Sequence, residues 1–426
     1  MSKYTDHLGR PLVAITGMGL VSSLGQGKEE NWAALTSGTS GIHTITRFAL
    51  DNLRTQIAGT VDFLEESSQG ASALSEKLAS LAAEEAISQS GLPLSDFGGP
   101  LFLAAPPVEL EWRNRFALDS LVKSEGEPGY DLLLAACRRG PQVDMFNTVE
   151  FGYIAECLAD KFGTRGLPVT LSTACASGAT AIQLGVEAIR RGESNRVLSI
   201  GTDGSVSAES LIRFSLLSAL STQNEPAQKA AKPFSKDRDG FVMAEGSGAM
   251  VLESLESAVA RGANILGIMR GCGEKADDFH RTRSKPDGSP AIGAVRAALD
   301  DAGIKEDAID YINAHGTSTP ENDKMEYLAI STVFGERISS QLPVSSNKSM
   351  IGHTLTAAGA IEAVFSVLTM QTGTIPPTIN YDNPDPAIIM DVVPNVKREA
   401  SVSSVLSSSF GFGGQNTCLV MTAEPN

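Results

Sequence analysis

Four short stretches bring together residue types that can do chemistry. Ser172-Thr-Ala-Cys175-Ala-Ser-Gly178 joins a strand-like run to a long helix-like one. A cysteine at such a turn sits near the positive end of the helix dipole. That setting lowers a thiol's pKa and supplies a thiolate nucleophile. The small neighbours leave room for a substrate, although a lone cysteine is just as readily a packed core residue. Asn313-Ala-His315-Gly-Thr-Ser-Thr319 ends another strand-like run in a histidine. Asn347-Lys-Ser-Met-Ile-Gly-His353 places a second histidine before an apolar helix. The chain has only five histidines, and these two fall at strand-end glycine turns, where α/β proteins keep their sites. One such histidine is usually a satisfied hydrogen-bonding group. Two in matching settings, with a cysteine in a third, point to nucleophilic Cys-His chemistry. The fourth stretch, Ser409-Phe-Gly-Phe-Gly-Gly-Gln-Asn416, is a glycine turn between two strand-like runs. It reads as a plain hairpin or as a nest of N–H groups able to hold an oxyanion.

Strand and helix patterns alternate around these stretches. Residues 11–16 and 196–201 read as buried strands. Leu74, Leu78 and Leu81 repeat at helical spacing up to Gly91, and Ile292, Val295 and Leu299 do so up to Gly303. This is an α/β rhythm, and it comes twice. The helix ending at Gly91 and the strand at Leu101 are echoed by the helix ending at Gly303 and the strand at Tyr311. Leu167-Pro-Val-Thr before the helix 178–190 is echoed by Leu342-Pro-Val-Ser before 357–370. An internal duplication is expected, with halves 1–265 and 266–426.

Composition narrows the function. The 426 residues carry 34 Lys and Arg against 50 Asp and Glu, a net charge of −16, which opposes a general nucleic-acid binder. The five cysteines are scattered, without CxxC or zinc spacing, so neither a disulfide framework nor a metal site is expected. The first residues lack the apolar core of a signal peptide, and no apolar run of about 18 residues stands out as a membrane span. A cytoplasmic protein is the expectation. Thr16-Gly-Met-Gly-Leu-Val-Ser22 only faintly resembles a dinucleotide fingerprint, since Ser22 replaces the third glycine.

Together, in this order, the motifs resemble the type II β-ketoacyl-acyl-carrier-protein synthases, and the likeness runs from Val13 to the Gly-Phe-Gly-Gly turn. Residues 233–248, Pro-Phe-Ser-Lys-Asp-Arg-Asp-Gly-Phe-Val-Met-Ala-Glu-Gly-Ser-Gly, add a further family-like signature. The resemblance implies an α/β thiolase-like fold: two duplicated halves in a five-layered α-β-α-β-α sandwich, as a homodimer. It implies a decarboxylating condensation of an acyl thioester with malonyl-acyl-carrier-protein, giving a 3-oxoacyl product in fatty acid elongation. Cys175 would accept the acyl group, with His315 and His353 completing the triad. Lys348 and Glu362 would support them. The N–H groups of Cys175 and Phe412 would hold the oxyanion, and Phe412 would gate the site. Thr282, Thr317 and Thr319 would hold the pantetheine arm. Phe214, Met145 and Phe146 would lie on the substrate side, the region of Met145 and Phe146 near the acyl tunnel and the dimer interface. No cofactor is implied beyond the phosphopantetheine of the acyl carrier protein.

Leu103-Ala-Ala-Pro-Pro-Val-Glu-Leu-Glu-Trp112 departs from the family's glycine-rich stretch. A specialised member for unusual or long acyl chains is therefore expected. Ser218 stands where the family carries a basic residue facing the carrier; Arg281, Arg283 and Lys285 offer another basic cluster. Other readings are a thiolase, a type III condensing enzyme, a thioester hydrolase, or a non-catalytic chain-length-factor-like partner. His353 opposes the first two and Cys175 the last; measuring carbon dioxide release separates the hydrolase.

Overall fold

The computed structural model describes residues 3–122, 129–139 and 143–424. The first half contributes β1 (Val13–Ser22), β2 (Leu101–Ala104), β3 (Val169–Leu171), β4 (Arg196–Asp203) and β5 (Gly246–Ser254) to the main sheet. The second contributes β6 (Gly267–Ala276), β7 (Tyr311–Asn313), β8 (Val344–Ser345), β9 (Ser404–Phe410) and β10 (Gln415–Thr422). From the centre outward the orders are β1-β5-β4-β2-β3 and β6-β10-β9-β7-β8. Polarity repeats as well: antiparallel at the inner pairs, parallel at the outer ones. The duplicated architecture is thus explicit in the topology. β1 and β6 join the two sets antiparallel at Val13–Ile15.

Helices supply the remaining layers. α1 (Ala71–Ser90) covers β1, β5 and β4, α2 (Ser177–Arg190) packs on β4 and β2, α3 (Ser289–Ala302) covers β6 and β10, and α4 (Ala358–Thr372) lies against β5 and β9. α2 and α4 touch each other between the sheets, so the stack reads α1, sheet, α2/α4, sheet, α3. α1 and α3 stop at Gly91 and Gly303, both left-handed, as the sequence predicts. α4 has no exposed face before its last turn: Ile361, Val364, Phe365 and Val367 are all fully buried, each contributing about 1.5–3 kcal/mol. Leu355–Thr372 is long and apolar enough to cross a membrane by length and composition, a stretch the sequence reading passes over. Its place between two sheets accounts for that apolarity.

The Thr16-Gly-Met-Gly turn of phrase in the sequence has a packing cause. A Cβ on Gly17 would meet the Ala86 carbonyl oxygen at 2.0 Å, and one on Gly19 the Ala82 oxygen at 1.9 Å. Both glycines let α1 lie directly on β1. Gly271 and Gly273 do the same for α3 on β6, with Ala298 and Ala294 oxygens at 2.4 and 2.3 Å.

Candidate active site

The reactive side chains sit at the C-terminal ends of strands from both halves. After β3 the chain makes a tight turn in which Ala174 takes a left-handed conformation, φ 50°. Ser177 locks that turn: its Oγ accepts from the Thr173 N–H at 2.8 Å and donates to the Ala174 carbonyl at 2.6 Å. Strain of this kind in a non-glycine residue persists only where neighbours over-determine it. Its effect is to hold Cys175 at the mouth of α2, 8% exposed.

His315 follows β7, and His353 follows β8 after a single helical turn, Lys348–Ile351. Their rings meet edge to face, with centroids 5.3 Å apart and planes at 86°. The potential ligating atoms of Cys175, His315 and His353 all lie within 4.8 Å of one another. Lys348 Nζ is 3.3 Å from His315 Nδ1 and ion-paired to buried Glu362. An ammonium in that position disfavours a metal cation there and leaves the trio to covalent chemistry.

Electrostatics set the protonation states. Burial, with the Lys348 charge, holds both histidines well below their ordinary 6.5, so they are neutral at pH 7. The Leu355 N–H donates to His353 Nδ1 at 3.2 Å. Nδ1 therefore carries a lone pair and Nε2 carries the proton, and Nε2 has no protein partner. A free N–H is thus aimed into the site. His315 is more anchored: its Nδ1 lies 3.3 Å from the Lys348 ammonium and accepts from it, which leaves the ring proton on Nε2. Glu326 holds its turn by accepting the N–H groups of His315 and Gly316, both at 2.7 Å.

Cys175 departs from the sequence expectation. Burial pushes its thiol up to about 11, outweighing the Phe412 N–H and the Lys348 charge, while Asp203 adds to the rise. Desolvation wins over the helix end because the thiolate would be cut off from water. At neutral pH the resting group is a thiol that must hand its proton on as it attacks. Alkylation by iodoacetamide is accordingly expected to be slow at pH 7 and to accelerate up to about pH 11, followed by mass spectrometry of the Cys175 peptide. A plateau reached below pH 8 would refute this picture.

Two cavities meet at Cys175. The outer one, about 340 Å³, is lined by Thr282, Thr317, Thr319, His315, His353 and the 410–414 turn. The inner one, about 330 Å³, runs past Phe214 and Leu355 to Pro106, Pro107, Val108 and Leu110. Phe412 and Cys175 border both. A two-sided apolar and polar arrangement around one nucleophile suits a long two-part thioester. The family comparison agrees with this geometry. The profile described as the β-ketoacyl synthase N-terminal domain matches residues 11–93 and 130–258, and that of the C-terminal domain matches 266–382. The chain belongs to the β-ketoacyl synthases.

The synthase is 37% identical to the 3-oxoacyl-acyl-carrier-protein synthase 2 of Coxiella burnetii, across 96% of this chain and 98% of that one. It is 34% identical to the tetracenomycin polyketide synthase ketoacyl synthase alpha subunit of Streptomyces glaucescens, over 96% of each. A type II polyketide ketosynthase solved with its acyl-carrier protein superposes with a TM-score of 0.87 at 31% identity, covering 97% and 100% of the two chains. The ishigamide ketosynthase/chain length factor gives 0.83 at 33%, covering 97% and 100%. The synthase is a condensing acyltransferase of this family.

Of the residues singled out by sequence, Cys175, His315, His353, Lys348, Glu362, Phe412, Thr282, Thr317, Thr319 and Phe214 gather at or beside the two cavities. Met145 and Phe146 do not. Met145 packs with Leu118, Val122 and Ala136, and Phe146 is 62% exposed. Neither lines either of these two cavities in the single chain. Sequence reasoning missed Phe241, whose ring meets His353 edge to face at 5.3 Å, and Glu326. The latter had a signal: an acid two turns into the helix that follows the histidine turn.

Proposed function

We propose that the condensation runs through an acyl-Cys175 intermediate in fatty acid elongation. The observation that carries the reading is the free His353 Nε2–H beside a buried thiol, at the junction of two cavities. Cys175 Sγ attacks the acyl thioester; its proton passes to the departing pantetheine thiol. The N–H groups of Cys175 and Phe412 hold the tetrahedral oxyanion until it collapses. Malonyl-carrier then enters the outer cavity, with Thr317 and Thr319, hydrogen-bonded to each other at 2.9 Å, and Thr282 beside the pantetheine arm. His353 and His315 donate to the thioester oxygen as carbon dioxide leaves, stabilising the enolate. That carbanion attacks the acyl carbonyl, the C–S bond breaks, 3-oxoacyl-carrier departs, and the released Cys175 thiolate takes a proton from solvent. Every step uses protein groups, the carrier's own thiol and that proton, with no added cofactor.

The inner cavity takes the acyl chain. Pro106 and Pro107 stiffen its wall, and this segment sets the preference for unusual or long chains. The carrier, an acidic protein, docks at the rim formed by Arg281 and Arg283, with Lys285 close by. Net charge gives no help at −16, so the local patch must act within a Debye length. The protein works as a homodimer. Exposed Phe116, Tyr130, Leu133 and Phe146, and the open edge strand β3 with Val169 40% exposed, support that assembly. All five cysteines are free, which suits the cytoplasm.

The test is an assay for carbon dioxide and 3-oxoacyl product from malonyl-carrier, over a ladder of acyl lengths. Hydrolysis of acyl-carrier without carbon dioxide would favour a thioester hydrolase. In the same assay, Arg281→Glu with Arg283→Glu is expected to raise KM for the carrier roughly tenfold at low salt and little at high salt. An unchanged KM would move the docking site elsewhere.

A further inference from the structure

One buried carboxylate ties the inner cavity to the turn that aims His353. Asp203 ends β4, is 1% exposed and lines the inner cavity. Its Oδ1 accepts the N–H and the hydroxyl of Ser205, at 3.0 and 2.6 Å. Its Oδ2 accepts the N–H and the hydroxyl of Thr356, at 3.2 and 2.8 Å. The Thr356 hydroxyl also lies 2.7 Å from the Thr202 carbonyl, so its one proton is shared between two acceptors at the end of β4. Thr356 directly follows Leu355, which stands at φ 46°, in the left-handed region. A β-carbon-bearing residue stays there only when its neighbours leave it no alternative. Leu355 is the residue whose N–H donates to His353 Nδ1. That single hydrogen bond decides which nitrogen of His353 carries the proton.

We propose that Asp203 is a positioning residue for His353. By clamping Thr356 it holds Leu355 in the left-handed turn and so fixes His353 with Nε2–H facing the reacting thioester. Ser205, the other partner of the clamp, also lines the inner cavity. The wall that contacts the acyl chain and the turn that orients the decarboxylating histidine are therefore one hydrogen-bonded unit. The inference rests on His353 as the donor to the malonyl thioester. Asparagine at 203 would keep only one acceptor oxygen and present an NH2 to one pair of donors. Valine at 356 would remove the hydroxyl contacts and keep the backbone N–H.

The experiment measures the two half-reactions separately: acyl transfer to Cys175 by mass spectrometry, and carbon dioxide release from malonyl-carrier. Asp203→Asn and Thr356→Val are expected to slow carbon dioxide release about tenfold, the scale of one lost hydrogen bond. Both residues also border the inner cavity, so acyl loading is expected to change as well, but by a clearly smaller factor than carbon dioxide release, and Thr356→Ser should recover most of the loss. A merely structural clamp would lower both half-reactions by the same factor, which would overturn the proposal; so would unchanged carbon dioxide release in both variants. Should Asp203→Asn fail to fold, Thr356→Val carries the test alone. Wild-type protein that releases no carbon dioxide overturns the condensing reading and this proposal with it. An active wild type beside unaffected variants overturns this proposal alone.

Discussion

Cys175→Ala is expected to form no acyl-enzyme and to lose condensation by at least about 10³-fold, since among the described residues no other thiol borders either cavity. The cysteine borders both cavities, with the Phe412 N–H directed at its sulfur. Cys418 cannot substitute for it: it is fully buried within β10, in the second-half core. Alanine fits the turn without strain beyond that already present at Ala174, so folding should survive and the loss is one of chemistry. Mass spectrometry after incubation with acyl-carrier reads the first half-reaction, and product formation reads the whole. Retained condensation would sink the assignment. A fall in loading without a fall in melting temperature is the expected signature. Because the histidines remain in place, carbon dioxide release from malonyl-carrier need not fall with it.

His353→Ala separates the steps in the opposite sense. Acyl loading should persist, while decarboxylation drops about 10²–10³-fold, the usual cost of one preorganised donor, roughly 3–4 kcal/mol. The donor is worth this much because it is dry, neutral and already oriented. Burial and the Lys348 charge keep the ring neutral at physiological pH, so it donates from Nε2 and keeps Nδ1 as an acceptor. The sign of the pH dependence follows. The ring pKa lies well below 6.5, so carbon dioxide release by the wild type should hold as pH falls through 6.5, and decline only further into acid. A midpoint at or above 6.5 would contradict the neutral, buried ring. Equal loss of both half-reactions in His353→Ala would instead indicate a collapsed site.

Much of this was legible in the sequence for a specific reason. Cys175, His315 and His353 each stand at a strand end, beside small residues, and strand ends are visible as local pattern. The repeated halves were legible too, because helix stops such as Gly91 and Gly303 and the paired Leu-Pro-Val runs recur in order. What stayed hidden depends on contacts between distant segments. The thiol of Cys175 is pushed up, not down, because residues from several parts of the chain exclude water around it. The tautomer of His353 rests on a backbone N–H two residues away, in a left-handed turn that no propensity marks. Asp203 lies in an unremarkable strand end and meets Thr356 only across 153 residues. Met145 and Phe146 line neither cavity of the single chain, and motif position says nothing about which face of the protein a short helix covers.

The repeated strand order has a consequence for how such a protein can change. β2 and β7 hold the same place in their halves, so the turn at Pro106–Leu110 is the counterpart of the turn at His315–Thr319. One lines the inner cavity and the other carries a histidine and two threonines toward the outer one. Equivalent strand ends thus serve different cavities, so replacing residues 106–111 would reshape the chain-side wall while leaving both histidines and their supporting turns in place.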